Sequence, residues 1–145
     1  MKWYQTLRRK AQESIPTLAS LKVLIPQMIQ AAQKVYDEWD QDNEGLNPEL
    51  GAGGICQDIA EEMAGVLSMA GIDSATVSAS VGDQHVWVFA RFSDGVYSID
   101  IPPGTYESGS GYVWRKKKDV RLKPSDLYID HVSSNPDDFE EMTSE

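Results

Sequence analysis

The hydrophobic pattern of this 145-residue chain changes at Gly71, and this change constrains the fold more than any other feature of the sequence. Before Gly71, apolar residues recur every three or four positions, as they do in amphipathic helices. After Gly71, the apolar segments are short and rich in β-branched and aromatic residues, which is typical of strands. Helices followed by strands predict an α+β fold, with N-terminal helices packed on a small antiparallel sheet.

The helical part predicts a short amphipathic helix over residues 2–12, a longer helical segment over 16–40 and a third helix from Cys56 to about Ala70. Pro26 lies inside the longer segment, where a proline removes a backbone hydrogen bond and clashes with the preceding turn. We therefore expect two helices that meet near residue 25. The polar residues before the glycine-rich run 51–54 are expected to form a loop.

The remaining part predicts three successive strands, over residues 75–81, 84–92 and 96–101. Asp94-Gly95 is typical of a tight hairpin turn, and Pro102-Pro103 ends the third strand because proline cannot donate to a ladder. A loop of small residues is expected next, over 104–111. Three short strands are expected after it, over 112–114, 120–122 and 127–132. Residues 134–145 are acidic and are expected to form a frayed, flexible tail.

The net charge of the chain indicates which classes of binding partner are unfavourable. Thirteen basic and 23 acidic residues leave a net charge of −10, which argues against nucleic acid or an anionic membrane as the main partner. One cysteine cannot form an internal disulfide, and the longest apolar run near the N-terminus, Val23-Leu24-Ile25, is too short for a signal peptide or a membrane span. We therefore expect a single-domain protein of the cytoplasm.

Cys56 is the only cysteine, and it stands between the glycine-rich run and the third predicted helix. A cysteine in the first turn of a helix lies near the positive end of the helix dipole and near unpaired N–H groups, which favour the reactive thiolate. The same N–H groups can bind an oxyanion, and glycines let a substrate carbonyl approach closely. The alternative is a buried cysteine that acts as a small hydrophobic residue. Catalysis would require a base from elsewhere in the chain.

The chain has two histidines, of which His85 is the better placed base. Strand alternation puts His85, Trp87 and Phe89 on one face of the sheet, which suits a half-buried site with an aromatic wall. A hydrogen-bonded histidine without catalytic duty is the alternative. His131 lies close to the acidic end of the chain and is expected to be a surface residue.

Asp100 interrupts an apolar strand, where a carboxylate is costly without a partner. It follows His85 by 15 residues, and an odd separation across an antiparallel hairpin places both side chains on one face. A two-residue turn at Asp94-Gly95, however, would put Asp100 opposite Phe89, about 13 Å along the strand from His85. A direct contact would need a longer turn centred near Phe92-Ser93, a pair of bulges or strong coiling.

Three motifs follow one another along the chain: Gly-Gly-Ile-Cys56-Gln-Asp, His85-Val-Trp87-Val and Asp-Gly-Val-Tyr-Ser-Ile-Asp100-Ile-Pro. Over residues 50–103 this order resembles the core of the transglutaminase-like branch of the papain-like cysteine protease superfamily. In that branch a cysteine at a helix N-terminus is followed by a histidine and an aspartate on neighbouring strands. The resemblance implies a papain-like fold with a Cys56–His85–Asp100 catalytic triad. The single domain would then comprise a helical lead-in over 1–49, a catalytic core over 50–103 and a loop with short strands over 104–133.

On this basis we expect a thiol-dependent hydrolase of the peptidase or amidase type, which forms a thioester on Cys56 with a protein or peptide substrate. Acyl transfer to an amine on the same triad is one alternative. A non-enzymatic module that binds a protein through its acidic surface or through the Tyr106 loop is another. Gln57 and Gln84 are candidates for the second oxyanion donor, and Asp83 is the reserve partner for His85.

No cofactor and no metal are expected. The glycine-rich run is not followed by the Gly-Lys-Ser/Thr of a phosphate-binding loop, and one cysteine with two histidines falls short of a structural zinc site. The aromatic and basic run 112–118 has the composition of a single-strand nucleic-acid site, but in so acidic a chain we interpret it as a solvated turn.

Overall fold

The computed structural model describes residues 15–40, 55–79, 85–110 and 113–144. The predicted helix over 2–12, the glycine-rich run 51–54, Asp83, Gln84 and Tyr112 lie outside these residues. The described helices are α1 (Leu18–Glu38), α2 (Cys56–Met69) and α3 (Asp138–Thr143). The described strands are β1 (Ser74–Ser78), β2 (Val86–Phe92), β3 (Gly95–Asp100), β4 (Glu107–Ser110), β5 (Val113–Lys116) and β6 (Tyr128–Ser133).

Four of the strands form one antiparallel sheet in the order β1-β2-β3-β6, and β4 and β5 form a separate two-stranded ribbon. The α+β class predicted from the sequence is therefore confirmed. Helix α2 packs across β1 and β2, and α1 packs on α2, so the two long helices form a layer beside the sheet.

The core lies between this helical layer and the sheet. Its least exposed side chains include Leu21 and Met28 of α1, Met63 and Leu67 of α2, and Val88, Ala90 and Phe92 of β2. The residues between the buried positions of β2 are half-buried, as expected when successive side chains of a strand point to opposite faces. Strand β2 therefore turns one face to the core and presents Trp87 and Phe89 on the other.

Helix α1 runs without interruption through Pro26, so the prediction of two shorter helices was wrong. Pro26 lies on the exposed side of the helix together with Lys22, whose carbonyl loses its helical partner to the proline. Because both residues are exposed, water can reach this side of the helix. Leu21 before the proline and Met28 and Ile29 after it are all buried, so packing holds both halves of the helix on the core.

The turn between β2 and β3 comes one residue earlier than the sequence predicted. Phe92 pairs with Gly95, so the two turn residues are Ser93 and Asp94. Gly95 has a φ of +142°, which L side chains rarely adopt. A Cβ at this position would also lie 1.8 Å from the backbone oxygen of Ser133 in β6. Gly95 is therefore required at the start of β3, where β6 passes close to it, and not within the turn.

The expected loop over residues 104–111 contains regular structure. A 3-10 turn spans Pro103–Thr105, and β4 begins at Glu107. Residues 120–122 form no strand, contrary to the prediction. Their backbone groups bind α1 side chains instead: the N–H of Leu122 donates to Gln33 Oε1 at 2.7 Å, and the carbonyl of Val120 accepts from Gln33 Nε2 at 3.1 Å. The side chain of Gln33 thus binds the backbone groups that a neighbouring strand would have bound. Strand propensity is a local property and does not reveal such a long-range partner.

The acidic end of the chain forms α3 where a frayed tail was expected, and this helix contacts the sheet. Two local hydrogen bonds set its start. Ser133 Oγ donates to Asp138 Oδ2 at 2.6 Å, and the N–H of Asp137 donates to Asn135 Oδ1 at 3.0 Å. Phe139 and Met142 are half-buried, so the helix has apolar contacts despite its charge.

Candidate active site

Cys56 is the first residue of α2, as the sequence predicted, and only 6% of its surface is exposed. The helix starts from Ile55, whose side chain cannot cap it, so its first N–H groups depend on other partners. Asp58 adds a carboxylate to the first turn. Burial, together with repulsion from Glu61 and Glu62, raises the pKa of Asp58 above its ordinary value.

His85 and Asp100 are in direct contact. His85 Nε2 lies 2.8 Å from Asp100 Oδ2, and about a quarter of each side chain is exposed (22% and 26%). The contact follows from the early turn. When the centre of a hairpin turn moves by one residue, the strands shift by two, and Asp100 then falls opposite Trp87, one place beyond the Val88–Ile99 pair. His85 becomes its diagonal neighbour on the same face, within reach of a long side chain.

Trp87 forms a wall beside the histidine. The rings of His85 and Trp87 stack with centroids 5.6 Å apart and planes 24° from parallel, and Phe89 meets Trp87 edge-on at 6.2 Å. The three aromatic side chains lie in sequence along one face, as strand alternation predicted. The stack and the bond to Asp100 together restrict the orientation of the imidazole.

The site strongly favours the charged form of His85. The hydrogen bond that Nε2 donates to Asp100 and, next in size, a hydrogen bond with Cys56 raise the pKa of His85 from 6.5 to about 9, although burial opposes the shift. Nε2 is engaged by Asp100, while Nδ1 is buried and is the ring nitrogen that remains for Cys56. Nδ1 is therefore the nitrogen left to exchange a proton with the Cys56 thiol. All three residues predicted for the triad thus lie in one place.

Two residues of the site were missed by the sequence analysis. Glu107 is 2% exposed and Tyr106 is fully buried, and both interact electrostatically with the site. Burial raises the pKa of Glu107 to about 7, although a backbone hydrogen bond from Ile55 and the charge of His85 lower it. Burial, and then the charges of Glu107, Cys56 and Asp100, raise the pKa of Tyr106 far above its ordinary value. The only available signal was an aromatic and a charged residue within the predicted loop of small residues over 104–111.

The structure also places three other residues that the sequence analysis singled out. Tyr106 is fully buried, so its own side chain is not part of an exposed surface. Gln57 is exposed, and its side-chain amide donates to Glu61 at 3.0 Å along the helix surface, away from an oxyanion-binding role. His131 is exposed, as predicted, with its ring stacked on Tyr97 at 4.6 Å.

A cavity of about 320 Å³ lies at the end of β1, and no residue of the triad lines it. Its lining includes Gln57 and Val86, the chain neighbours of Cys56 and His85, together with the end of β1 and Met142 to Ser144 beyond the middle of α3. A larger cavity of about 470 Å³ lies between the end of α1 and the basic residues 116–121, and no residue of the triad lines it. Lys116 in that region contacts the Tyr36 ring at 4.4 Å and the carbonyl of Trp39 at 3.0 Å, so the basic run is partly used within the fold.

The described residues contain no group of three or more histidine, cysteine or acidic side chains placed to hold a metal ion. Within the same part of the chain, every helix is too short or too polar to cross a membrane. Comparison of the chain with protein-family models, with curated proteins and with solved structures finds no match. A functional interpretation therefore depends on the geometry of the site itself.

Proposed function

We propose that the protein is a cysteine hydrolase of the peptidase or amidase type, with Cys56 as nucleophile, His85 as general base and acid, and Asp100 as the group that orients His85. The observation that carries the proposal is the shared placement of the three side chains. His85 Nε2 is held by Asp100 at 2.8 Å, and the thiol of Cys56 acts on the same imidazole from the start of α2.

The chemistry begins from a thiolate on Cys56 and an imidazolium on His85. The sulfur attacks a substrate carbonyl carbon, the S–C bond forms, and the carbonyl electrons move to oxygen, where the N–H of Cys56 would stabilise the charge. When the carbonyl reforms, the C–N bond breaks and the leaving amine takes the proton of His85. This leaves a thioester on Cys56 and a neutral imidazole.

Water completes the cycle. His85 takes a proton from the water as its oxygen attacks the thioester carbon, and collapse of the tetrahedral intermediate breaks the S–C bond. The products are a carboxylic acid and the original thiolate–imidazolium pair. If an amine took the place of water, the product would be a new amide. The same triad therefore allows acyl transfer, and the acyl acceptor decides which reaction occurs.

The proposal includes the fold family. A cysteine at a helix N-terminus, a histidine at the start of one strand and an aspartate at the end of the next occur here in the order typical of transglutaminase-like, papain-like enzymes. The α+β architecture, with the cysteine helix packed across the sheet, supports the same interpretation. A protein or peptide in the cytoplasm would be the substrate.

Alkylation of Cys56 tests the thiolate–imidazolium pair, and the lone cysteine makes the measurement specific. Iodoacetamide labelling would be followed by mass spectrometry from about pH 4 to 9 in wild type and in His85→Ala. We expect wild type to remain reactive at acidic pH and the variant to lose that reactivity. Identical profiles in the two proteins would reject the pair.

An activated ester tests acyl-enzyme formation without knowledge of the natural substrate. p-Nitrophenyl acetate should give a burst of nitrophenolate equal to the concentration of wild-type protein, and an acetyl group on Cys56 detectable by mass. Cys56→Ala should give neither. Addition of an alkylamine then separates the two reactions, because an acyltransferase forms the amide whereas a hydrolase releases acetate. Absence of a burst from wild type would contradict the proposed enzyme.

A further inference from the structure

Glu107 is a buried charge that the chemistry above leaves unused. It is 2% exposed, and it is the one polar or charged residue among the buried residues of the described chain. Its Oε1 atom is buried and has no hydrogen-bond partner among the described residues. Burial of a carboxylate costs free energy unless neighbouring groups donate hydrogen bonds to it or carry a compensating charge.

The first consequence of its position concerns the cysteine helix. The backbone N–H of Ile55 bonds to Glu107. Ile55 precedes Cys56 and is the cap residue of α2, and its own side chain supplies no capping bond. A carboxylate from β4 therefore does what the glutamate of a capping box does in other helices: it accepts from the N–H of the cap residue and places negative charge at the positive end of the dipole. The position of Cys56 thus depends on β4.

The second consequence concerns the histidine. The positive charge of His85 favours the ionised form of Glu107, and by reciprocity the Glu107 carboxylate favours the imidazolium of His85. Other groups share this environment: Asp100 and Cys56 both act on His85, and the hydroxyl of Tyr106 interacts with Glu107, Cys56 and Asp100. Asp100 has the largest effect on His85, so Glu107 adds to a pair that is already formed.

We propose that Glu107 is a positioning residue of the active site, which holds the start of the Cys56 helix through the N–H of Ile55 and stabilises the imidazolium of His85. In this role Glu107 acts through Ile55 and His85 and transfers no proton itself. The inference rests on the proposed cysteine chemistry, because positioning a cysteine and a histidine matters only if the two react together.

Two variants separate the functions of the carboxylate. Glu107→Gln keeps an acceptor oxygen for Ile55 but removes the charge, whereas Glu107→Leu removes both. Glu140→Gln, at an exposed position of α3, is the matched control for loss of one negative charge. The titration midpoint of His85 would be measured by NMR of the imidazole, with His131→Gln used to assign the two histidines.

We expect the His85 midpoint in Glu107→Gln to fall below that of wild type, and the midpoint in Glu140→Gln to stay at the wild-type value. Glu107→Leu should also slow the nitrophenolate burst by about 10-fold to 100-fold, because displacement of a nucleophile by an ångström has effects of that size. Glu107→Gln should retain more of the burst rate than Glu107→Leu does. If Glu107→Leu fails to fold, the Glu107→Gln titration still decides the charge effect.

The outcomes distinguish this inference from the proposed function. An unchanged His85 midpoint in Glu107→Gln, with alkylation of Cys56 still dependent on His85, would overturn the role of Glu107 and leave the hydrolase intact. A shifted midpoint, with alkylation independent of His85, would overturn the hydrolase and retain the electrostatic contact between Glu107 and His85.

Discussion

Asp100 and Cys56 both act on the imidazole of His85, and in the proposed mechanism Asp100 is the fixed acceptor and Cys56 is the nucleophile. The bond between His85 Nε2 and Asp100 Oδ2 does two things. It favours the imidazolium over the neutral ring, and it leaves Nδ1 as the nitrogen available to the thiol. Both effects belong to the ionised carboxylate, and an amide in its place would supply neither in full.

Asp100→Asn therefore tests the orienting role. The substitution keeps the shape of the side chain but removes the charge and presents an amide that can also donate. We expect the pKa of His85 to fall from about 9 towards its ordinary value of 6.5, and the nitrophenolate burst rate to drop by about 100-fold or more. NMR titration and stopped-flow absorbance give the two values.

Asp130→Asn is the matched control for that experiment, because it removes an exposed carboxylate from the neighbouring strand β6. It should leave both values at those of wild type. Equal effects of the two substitutions would mean that general surface charge, and not the bond to His85, sets the state of the imidazole.

At the scale of single elements, the hairpin formed by β2 and β3 decides whether the site exists. Its turn at Ser93 and Asp94 sets the register that makes His85 and Asp100 diagonal neighbours. Gly95 allows that turn because it combines a φ of +142° with close approach of the Ser133 backbone. Register is a property of the whole strand pair, so a change at Gly95 acts on residues at the other end of the hairpin.

Gly95→Ala should destabilise the protein by about 2 kcal/mol or more, since the new Cβ adds backbone strain and a clash with β6. Gly104→Ala is the control, because a Cβ there would meet nothing within 4 Å. Urea unfolding of the two variants measures the difference. An equal decrease in the free energy of unfolding of Gly104→Ala would show that the start of β3 is no more sensitive to an added Cβ than other glycine positions are.

In helix α1 we expect a substitution that increases the stability of the protein. Pro26 lies on the exposed side of a continuous helix, so no packing contact requires its ring. Pro26→Ala restores the missing N–H and should stabilise the protein by about 1 to 3 kcal/mol, less whatever the proline contributes by restricting the unfolded chain. The midpoint of urea unfolding should rise. A lower midpoint would mean that the proline makes a necessary contact.

At the scale of the whole molecule, the protonation of His85 and of Glu107 links the site to the stability of the fold. The pKa of His85 is raised from 6.5 to about 9 in the folded protein, so the folded state binds the proton more tightly than the unfolded chain does. The stabilisation is fully present below pH 6.5 and is lost as the pH rises through about 9. The free energy of unfolding should therefore decrease across this window in wild type and decrease less in His85→Ala, as measured by urea unfolding at each pH.

The pKa of Glu107 gives a second window, at lower pH. Burial raises the pKa of this acid from 4.5 to about 7, so folding favours its neutral form. The stabilisation by the bound proton is complete below pH 4.5 and is lost as the pH rises through about 7. Wild type should lose stability across this interval relative to Glu107→Gln, which does not titrate. A difference between the two proteins that does not change with pH would contradict the buried state of the carboxylate.

The sequence by itself determined the class of the fold and the residues that make up the candidate triad. Helical spacing and strand alternation are local patterns, so they were sufficient to place Cys56 at a helix start and to put His85 and Asp100 on one face. Residue numbers alone show whether two side chains of a hairpin lie on the same face of the sheet. The distance between two side chains needs the register, and the position of the turn decides the register.

Only the tertiary structure decided what depends on contacts between distant segments. Packing on both sides of Pro26 kept α1 whole, and the side chain of Gln33 took the backbone groups that a strand at 120–122 would have used. The approach of β6 fixed Gly95 at the start of β3. Glu107 of β4 bonds to Ile55 at the start of the Cys56 helix, a long-range contact that no local pattern records. Each of these outcomes is set by the free energy of burial and of long-range hydrogen bonds, which outweighs the local propensity of the chain.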